Sequence, residues 1–424
     1  MLWRGCLTKE KTSGEAKERE KAHEAVGECG DSPGSVHGCP QSRLGIYVHI
    51  PFCTKKCDYC GFNSYPLSSF HDAEGVSGRY LEALIKEAEI RSACVRGLGG
   101  EAVTLYLGGG TPTSLSEKSL VRLITEILKS FHVAHDIEIT VEANPETLDY
   151  EKLRCLKDIG VTRLSIGVQS LDDLLLKKLG RSHSAYDFVL AFRRARAAGF
   201  RNINMDLIYG IPGQTVRDWN KTLDRVLALR PEHVSAYGLM LEEDTLLWHR
   251  VKSGFEAPCD EDLQIDMYYL AKDRLEQAGY KHYEISNFAM PGYESRHNTI
   301  YWKFEPYIGL GAGAHSYVNG ERWSNLSDPV DYANSIFSRG SAVSEREAFS
   351  KADEMSTVMI MGLRMVDGVC DSEFSNRFGV SIDDAFGEAI GKGVALGLLE
   401  WDGTRLRLTK RGLMLSNEAM REFL

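Results

Sequence analysis

The sequence predicts an α/β protein, a partial (β/α)6 barrel followed by a small winged-helix-like domain. Three observations carry this expectation. Six short apolar runs alternate with amphipathic stretches between residues 44 and 239. Glycines and polar residues cluster directly after several of those runs. Beyond residue 345 the pattern changes to two helix-length periods and a hairpin. With 424 residues, 43% of them hydrophobic, the chain can bury a large core and divide into domains.

Residues 1–42 come first. From Thr8 to Ser42 the only large aliphatic side chains are Val26 and Val36, amid dense charge, Gly and Ser, so a disordered tail is expected. The strand candidates follow: LGIYVHI (44–50), AVTLYL (102–107), DIEITVE (136–142), TRLSIGV (162–168), NINMDLI (202–208) and HVSAYGL (233–239). Helix-period stretches lie near residues 76–96, 116–131, 183–198 and 215–229, with shorter ones near 149–159 and 171–179. Alternation of this kind implies right-handed crossovers and a parallel sheet. Six consecutive units suit an open barrel better than a closed eight-fold one. The barrel and its C-terminal extension are assigned residues 43–345. In the remainder, 346–424, SKADEMSTVMIMGLRMV and SIDDAFGEAIGKGVALGLL read as helices, and LEWDGTRLRLT as a hairpin turning at Asp402-Gly403. Helix, helix, hairpin suggests a winged helix, expected to contact the barrel or a partner rather than DNA.

Composition excludes several classes. No run of about eighteen apolar residues occurs, so no transmembrane segment is expected. The N-terminus lacks a secretory apolar region and is rich in glutamate (Glu10, Glu15, Glu18, Glu20, Glu24), unlike a transit peptide. A cytoplasmic setting is therefore expected. A net charge of −10 argues against nucleic acid as a partner. Ten cysteines in such a chain read as metal ligands and reduced thiols rather than a disulfide framework. Cys94, Cys155, Cys259 and Cys370 stand alone and are expected to be small buried hydrophobes. A metal site on Cys29, His37 and Cys39 would lack preformed geometry.

Ligands of a parallel barrel gather at the C-terminal strand ends, and those ends are unusual here. After the first strand comes HIPFCTKKCDYCGFNS, with Cys53, Cys57 and Cys60 in a Cys-x-x-x-Cys-x-x-Cys loop. Three thiolates this close can hold three irons of a [4Fe-4S] cubane and leave the fourth iron without a protein ligand. Zinc would want a fourth Cys or His with its own spacing. After the second strand, LGGGTPT supplies Gly108, Gly109 and Gly110, where a charged ligand can approach backbone N–H groups. Further strand ends supply Glu142, Gln169 and Asp206.

The cysteine loop after YVHIPF, the GGGTP run, VEANP, SIGVQS and DLIYGIP together resemble the radical S-adenosylmethionine superfamily, in its coproporphyrinogen dehydrogenase-like branch, over residues 44–424. The resemblance implies that S-adenosylmethionine chelates the open iron through its amino and carboxylate groups. Its reductive cleavage, with an electron donor for the cluster, would yield a 5′-deoxyadenosyl radical and methionine. It further implies Tyr47 and Tyr59 flanking that cofactor, and Gly109, Gly110 and Thr111 at its methionine part. Glu142, Gln169, Arg181 and Asp206 would complete the pocket, with weaker matches at Met240 and His315. Glu142 and Asp206 suit ribose hydroxyls or the amino group, and Arg181 suits the carboxylate.

Two groups within the branch differ at readable positions. The decarboxylases carry a further cysteine two residues after the third, where this chain has Phe62, and a longer N-terminal covering element. RHNTIYW resembles the His-Asn-x-x-Tyr-Trp signature of the HemW-type haem chaperones through His297, Asn298, Tyr301 and Trp302. That implies haem and haem-acceptor proteins as partners, with His297 as a candidate axial ligand. A satisfied core histidine is the equal reading from the residues alone. No side chain is assigned a catalytic role. Oxygen-independent coproporphyrinogen III oxidase is the alternative function.

Overall fold

The computed structural model describes residues 43–96 and 100–424. The expected tail, residues 1–42, and the Cys29, His37 and Cys39 grouping lie outside the described residues. The six expected strands form in order as β1 (Arg43–Ile50), β2 (Glu101–Gly109), β3 (Val133–Ala143), β4 (Arg163–Gln169), β5 (Ile203–Tyr209) and β6 (His233–Gly238). Between them lie α1 (Ala73–Arg96), α2 (Glu117–Ser130), α3 (Tyr150–Asp158), α4 (Asp173–Lys178), α5 (Ala185–Ala197) and α6 (Val216–Leu229). The helices start where a short polar side chain can accept from the unpaired N–H groups of the first turn. Ser116, Asp149, Asp172, Ser184 and Thr215 do this, and the last two close capping boxes with Asp187 and Asp218.

Strands β1 to β6 lie side by side, parallel and in chain order. The sheet stays open, because both of its flanks carry further strands that the sequence did not announce. On the β6 side β8 (Asn287–Ala289) and then β7 (Lys281–Glu284) add antiparallel. On the β1 side β9 (Tyr307–Leu310) adds parallel, followed by antiparallel β10 (His315–Val318), β11 (Glu321–Asn325) and β12 (Val343–Ala348). Helices α7 (Leu246–Lys252), α8 (Glu261–Gln277), α9 (Arg296–Trp302) and α10 (Pro329–Arg339) complete this region. Among the described residues no helix is long and apolar enough to cross a membrane.

Side chains alternate across a strand, so each strand has two faces. One face carries Ile46, Val48, Leu105, Leu107, Val141, Ile166 and Leu207, which join Leu120, Ile124, Phe188 and Trp219 from the helices in the main core. The positions between them are polar: Tyr47 and His49 on β1, Thr104 and Tyr106 on β2, Glu138 and Glu142 on β3, Arg163 and Ser165 on β4, Asn204 and Asp206 on β5. Burial of so many polar groups is tolerated only because they bond one another or a ligand.

The C-terminal region has its own core, built on Met359, Leu363, Phe374, Phe378, Ile390 and Leu406. Its order is α11 (Lys351–Gly362), β13 (Val369–Cys370), α12 (Asp371–Phe378), α13 (Ile382–Ala395), β14 (Leu399–Trp401) and β15 (Arg405–Leu408), with the strands arranged β13-β15-β14. The first expected helix stops early, and α12 with β13 was not foreseen. The hairpin turns where expected: Asp402 Oδ1 accepts the N–H groups of Thr404 and Arg405 at 2.9 and 2.8 Å, and Gly403 takes a φ of 87°. The expectation of buried lone cysteines is corrected. Cys94 is exposed and Cys155, Cys259 and Cys370 are half-buried.

Candidate functional site

The cysteine loop leaves β1 through Pro51 and is seated on the glycine run that ends β2. The N–H groups of Gly110 and Thr111 donate to the carbonyls of Ile50 and Phe52 at 2.8 and 2.7 Å. A Cβ on Gly110 would stand 2.7 Å from the Phe52 oxygen, 2.9 Å from that of Ile50 and 3.0 Å from Cys53 Sγ. Only glycine allows the two loops to approach this closely. Gly109 adopts a φ of 111° with the His49 ring against it, a conformation that disfavours any side chain.

Cys53 is buried, Cys57 and Cys60 are half-buried, and all three are free thiols. Thr111 Oγ1 donates to Cys53 Sγ at 3.5 Å, and an Arg181 guanidinium N–H to Cys57 Sγ at 3.4 Å. Burial raises the Cys53 thiol and pushes that of Cys60 up to about 11. Cationic iron would reverse this, since a coordinating thiol is deprotonated outright. Among the described residues no three His, Cys, Asp or Glu side chains converge as they would on one ion. Donor type, the donors aimed at sulfur and the glycine seat all fit a cluster.

The other expected residues surround this loop. Thr111, 2% exposed, accepts from Asn144 Nδ2 at 3.0 Å. Asn144 Oδ1 in turn accepts from Arg181 at 2.7 Å, and the Gly167 carbonyl accepts from the same nitrogen at 2.8 Å. The Arg181 Nε is buried without a partner, a cationic N–H still open to an anionic ligand. Gln169 ends β4 with a φ of 62°, and its amide nitrogen lies 2.9 Å from where a Gly167 Cβ would be. Glu142 accepts from the Tyr106 hydroxyl at 2.7 Å and from the Gly109 N–H at 3.1 Å. Burial raises its carboxyl to about 7. Asp206 accepts from Ser165 and Asn204 at 3.0 and 2.8 Å, and burial raises it too. Tyr47 bonds His49 Nδ1 at 2.9 Å, and Tyr59 packs against Leu175, Leu179 and Ile208 beside Arg181.

Three expected residues stand apart. Met240 is 71% exposed on the loop after β6, outside the bonded set. His315 lies at the exposed start of β10. His297 is 1% exposed on α9, its Nδ1 bonded to Thr104 Oγ1 at 2.7 Å and its Nε2 to the Tyr301 hydroxyl at 3.0 Å. Its ring stacks on Tyr106 with centroids 5.0 Å apart, and burial lowers it to about 3. Both ring nitrogens of His297 are thus hydrogen-bonded within the protein. The signature forms a helix capped by Ser295.

His49, Tyr106, Asn144 and Arg163 were missed. All but Asn144 lie on the polar strand faces, which can be told from the apolar ones only once the strand register is known.

Comparisons with known proteins agree with this geometry. The chain matches the family described as Radical SAM superfamily over residues 47–226, and that described as HemN C-terminal domain over 349–415. A protein of Bacillus subtilis (strain 168) named heme chaperone HemW is 38% identical over 379 residues, 89% of this chain and 98% of that protein. One of the same name from Escherichia coli (strain K12) is 31% identical over 383 residues, 90% and 98% of the two chains. The solved structure described as "Coproporphyrinogen III oxidase (HemN) from Escherichia coli is a Radical SAM enzyme" is 25% identical, covers 91% of each chain and superposes with a TM-score of 0.78.

Proposed function

We propose, from the premise that this chain belongs to the HemW family of radical SAM proteins, that it is a haem chaperone holding a [4Fe-4S] cluster, S-adenosylmethionine and haem and delivering the haem to acceptor proteins. The observation that carries the reading is the thiolate loop seated on Gly110 and walled by Arg181. Cys53, Cys57 and Cys60 would hold the cluster. Backbone at Gly109 to Thr111 would meet the methionine part of S-adenosylmethionine, the free Arg181 Nε its carboxylate, and Glu142 and Asp206 its ammonium or ribose hydroxyls. Gln169, Tyr47 and Tyr59 would line the remainder. When bound, the cluster supplies an electron to S-adenosylmethionine, so an electron donor is a further partner, and the setting we infer is the cytoplasm.

The likeness to coproporphyrinogen III oxidase favours one alternative, an oxygen-independent decarboxylase. Against it stands Phe62, 47% exposed, at the position where decarboxylases resemble one another in carrying a further cysteine. Anaerobic reconstitution followed by parallel assays separates the two. The protein should take up haem, read in the Soret region, and release no carbon dioxide from coproporphyrinogen. Robust, cluster-dependent carbon dioxide release would replace the chaperone reading by the enzymatic one.

A further inference from the structure

Asp206 on β5 stands at the end of a chain of buried hydrogen bonds that reaches α9. Both of its oxygens accept from protein donors, Oδ1 from Asn204 Nδ2 at 2.8 Å and Oδ2 from the Ser165 hydroxyl at 3.0 Å, as an ionised carboxylate requires. With its Nδ2 turned to Asp206 and also donating to Ser165 Oγ at 2.8 Å, Asn204 points its amide oxygen the other way. That oxygen accepts from the Ser235 hydroxyl at 3.1 Å and meets His233 Nδ1 at 2.6 Å, so Nδ1 carries the ring proton. Burial, and then the charge of Arg163, hold His233 well below its ordinary pKa. The neutral ring's other nitrogen, Nε2, therefore accepts from the Tyr283 hydroxyl at 2.8 Å. The Tyr283 oxygen in turn accepts the Ser295 N–H at 3.3 Å, and Ser295 is the N-cap of α9. Asn204, His233, Tyr283 and Ser295 are each at most 2% exposed, so bulk water offers them no substitute partner.

We infer that His233 and Tyr283 are positioning residues for S-adenosylmethionine: they keep the Asn204 amide N–H, and through it the Asp206 carboxylate, in the orientation that the ligand's donors meet. The inference rests on the reading of Asp206 as a contact for that ligand's ammonium or ribose hydroxyls. Asn204 and Ser165 fix the plane of the carboxylate and leave it lone pairs for a ligand. The Tyr283 hydroxyl does its part at a distance, by selecting the His233 tautomer. Without that hydroxyl nothing at Nε2 favours a bare nitrogen. The ring proton can then sit on Nε2, Nδ1 becomes an acceptor, and the Asn204 amide turns over to satisfy it. Its oxygen would then face the Asp206 carboxylate, two acceptors set against each other. The helix that carries His297 is tied to the cofactor pocket by the same bonds, through its N-cap.

Calorimetric titration of S-adenosylmethionine into the anaerobically reconstituted full chain, with iron content as the control, tests this. Tyr283→Phe keeps the ring's packing and should retain iron while weakening binding by about tenfold, the effect of a buried hydrogen bond left unmade. His233→Leu should weaken it at least as much. His233→Asn, whose Nδ2 can stand where Nδ1 stood, should recover part of that loss. In an Asp206→Asn background Tyr283→Phe should cost little further affinity, because an amide at position 206 can meet either side of the Asn204 amide. A role in folding alone would lower the melting temperature of Tyr283→Phe without moving its affinity. That result, or equal losses with and without Asp206→Asn, would overturn the inference and leave the cofactor reading standing. No binding of S-adenosylmethionine by the unsubstituted protein would overturn both.

Discussion

Glu142 joins the site's chemistry to its stability. Its carboxyl is raised from an ordinary 4.5 to about 7 first by burial and then by Asp206, while Tyr106, the Gly109 N–H and Arg163 pull the other way. A group raised in the folded state binds a proton there that it has lost in the unfolded chain. Its stabilising contribution is complete below about pH 4.5 and is lost as pH rises through about 7. In the cluster-free protein, Glu142→Gln should flatten that decline by on the order of 1–3 kcal/mol between pH 5 and 8, measured by urea unfolding. An unchanged slope would remove Glu142 as the source. Glutamine still accepts from Tyr106 but loses one acceptor for the Gly109 N–H. At this scale the cysteines, the glycines, Glu142 and Asp206 stood out because spacing or position at a strand end marks them, whereas Arg181 came only from the family resemblance. Tyr106 and His49 did not, because within a strand a polar residue reveals its face only once the register is known. At His297 the signature gives residue types, and only packing shows that both ring nitrogens are bonded.

Among elements, the end of β2 is the one on which the cluster loop depends. Gly110→Ala would drive a methyl into the Phe52 and Ile50 carbonyls and into Cys53 Sγ. The two loops must separate. The substitution should lower iron retained after reconstitution by most of its value and cost roughly 1–3 kcal/mol of stability. Iron analysis alongside thermal melting decides it, and full iron content would show that the seat is not needed. The long parallel strands and capped helices were readable, since apolar runs of seven residues and N-cap residues each carry a strong local signal. Strands β7 to β12 were not. Most span three to five residues, and their pairing depends on partners distant in sequence, so no window of that length could separate strand from loop.

For the whole molecule, two cores predict two responses. The C-terminal core is joined to the barrel region by backbone and side-chain contacts, among them Ile285 N–H to the Arg364 carbonyl at 3.1 Å, Val366 N–H to that of Tyr283 at 3.1 Å, the Arg377 guanidinium to that of Phe304 at 3.1 Å, and Val358 packed against the cluster of Ile300, Phe304 and Tyr317. Phe374→Ala, at a side chain 2% exposed, should cost about 3–5 kcal/mol within residues 349–424 and add an early melting step. Iron bound to the barrel should be unchanged. Loss of iron in step with that early transition would show the two cores to be one cooperative unit.

An open sheet must also end somewhere, and each end is a row of backbone groups able to recruit another chain. This sheet ends in two different ways. Its outermost strand on one flank, β12, carries Glu345, Arg346 and Glu347 exposed, with Arg346 and Glu347 paired across to Glu321 and Arg322. A second copy docking there would have to bury those charges. The other flank ends in β7, only four residues long, where Glu284 bridges to Met365 and Lys281 meets Asp367 at 3.2 Å. The C-terminal region thus doubles as a guard against aggregation on the flank that carries no comparable charge.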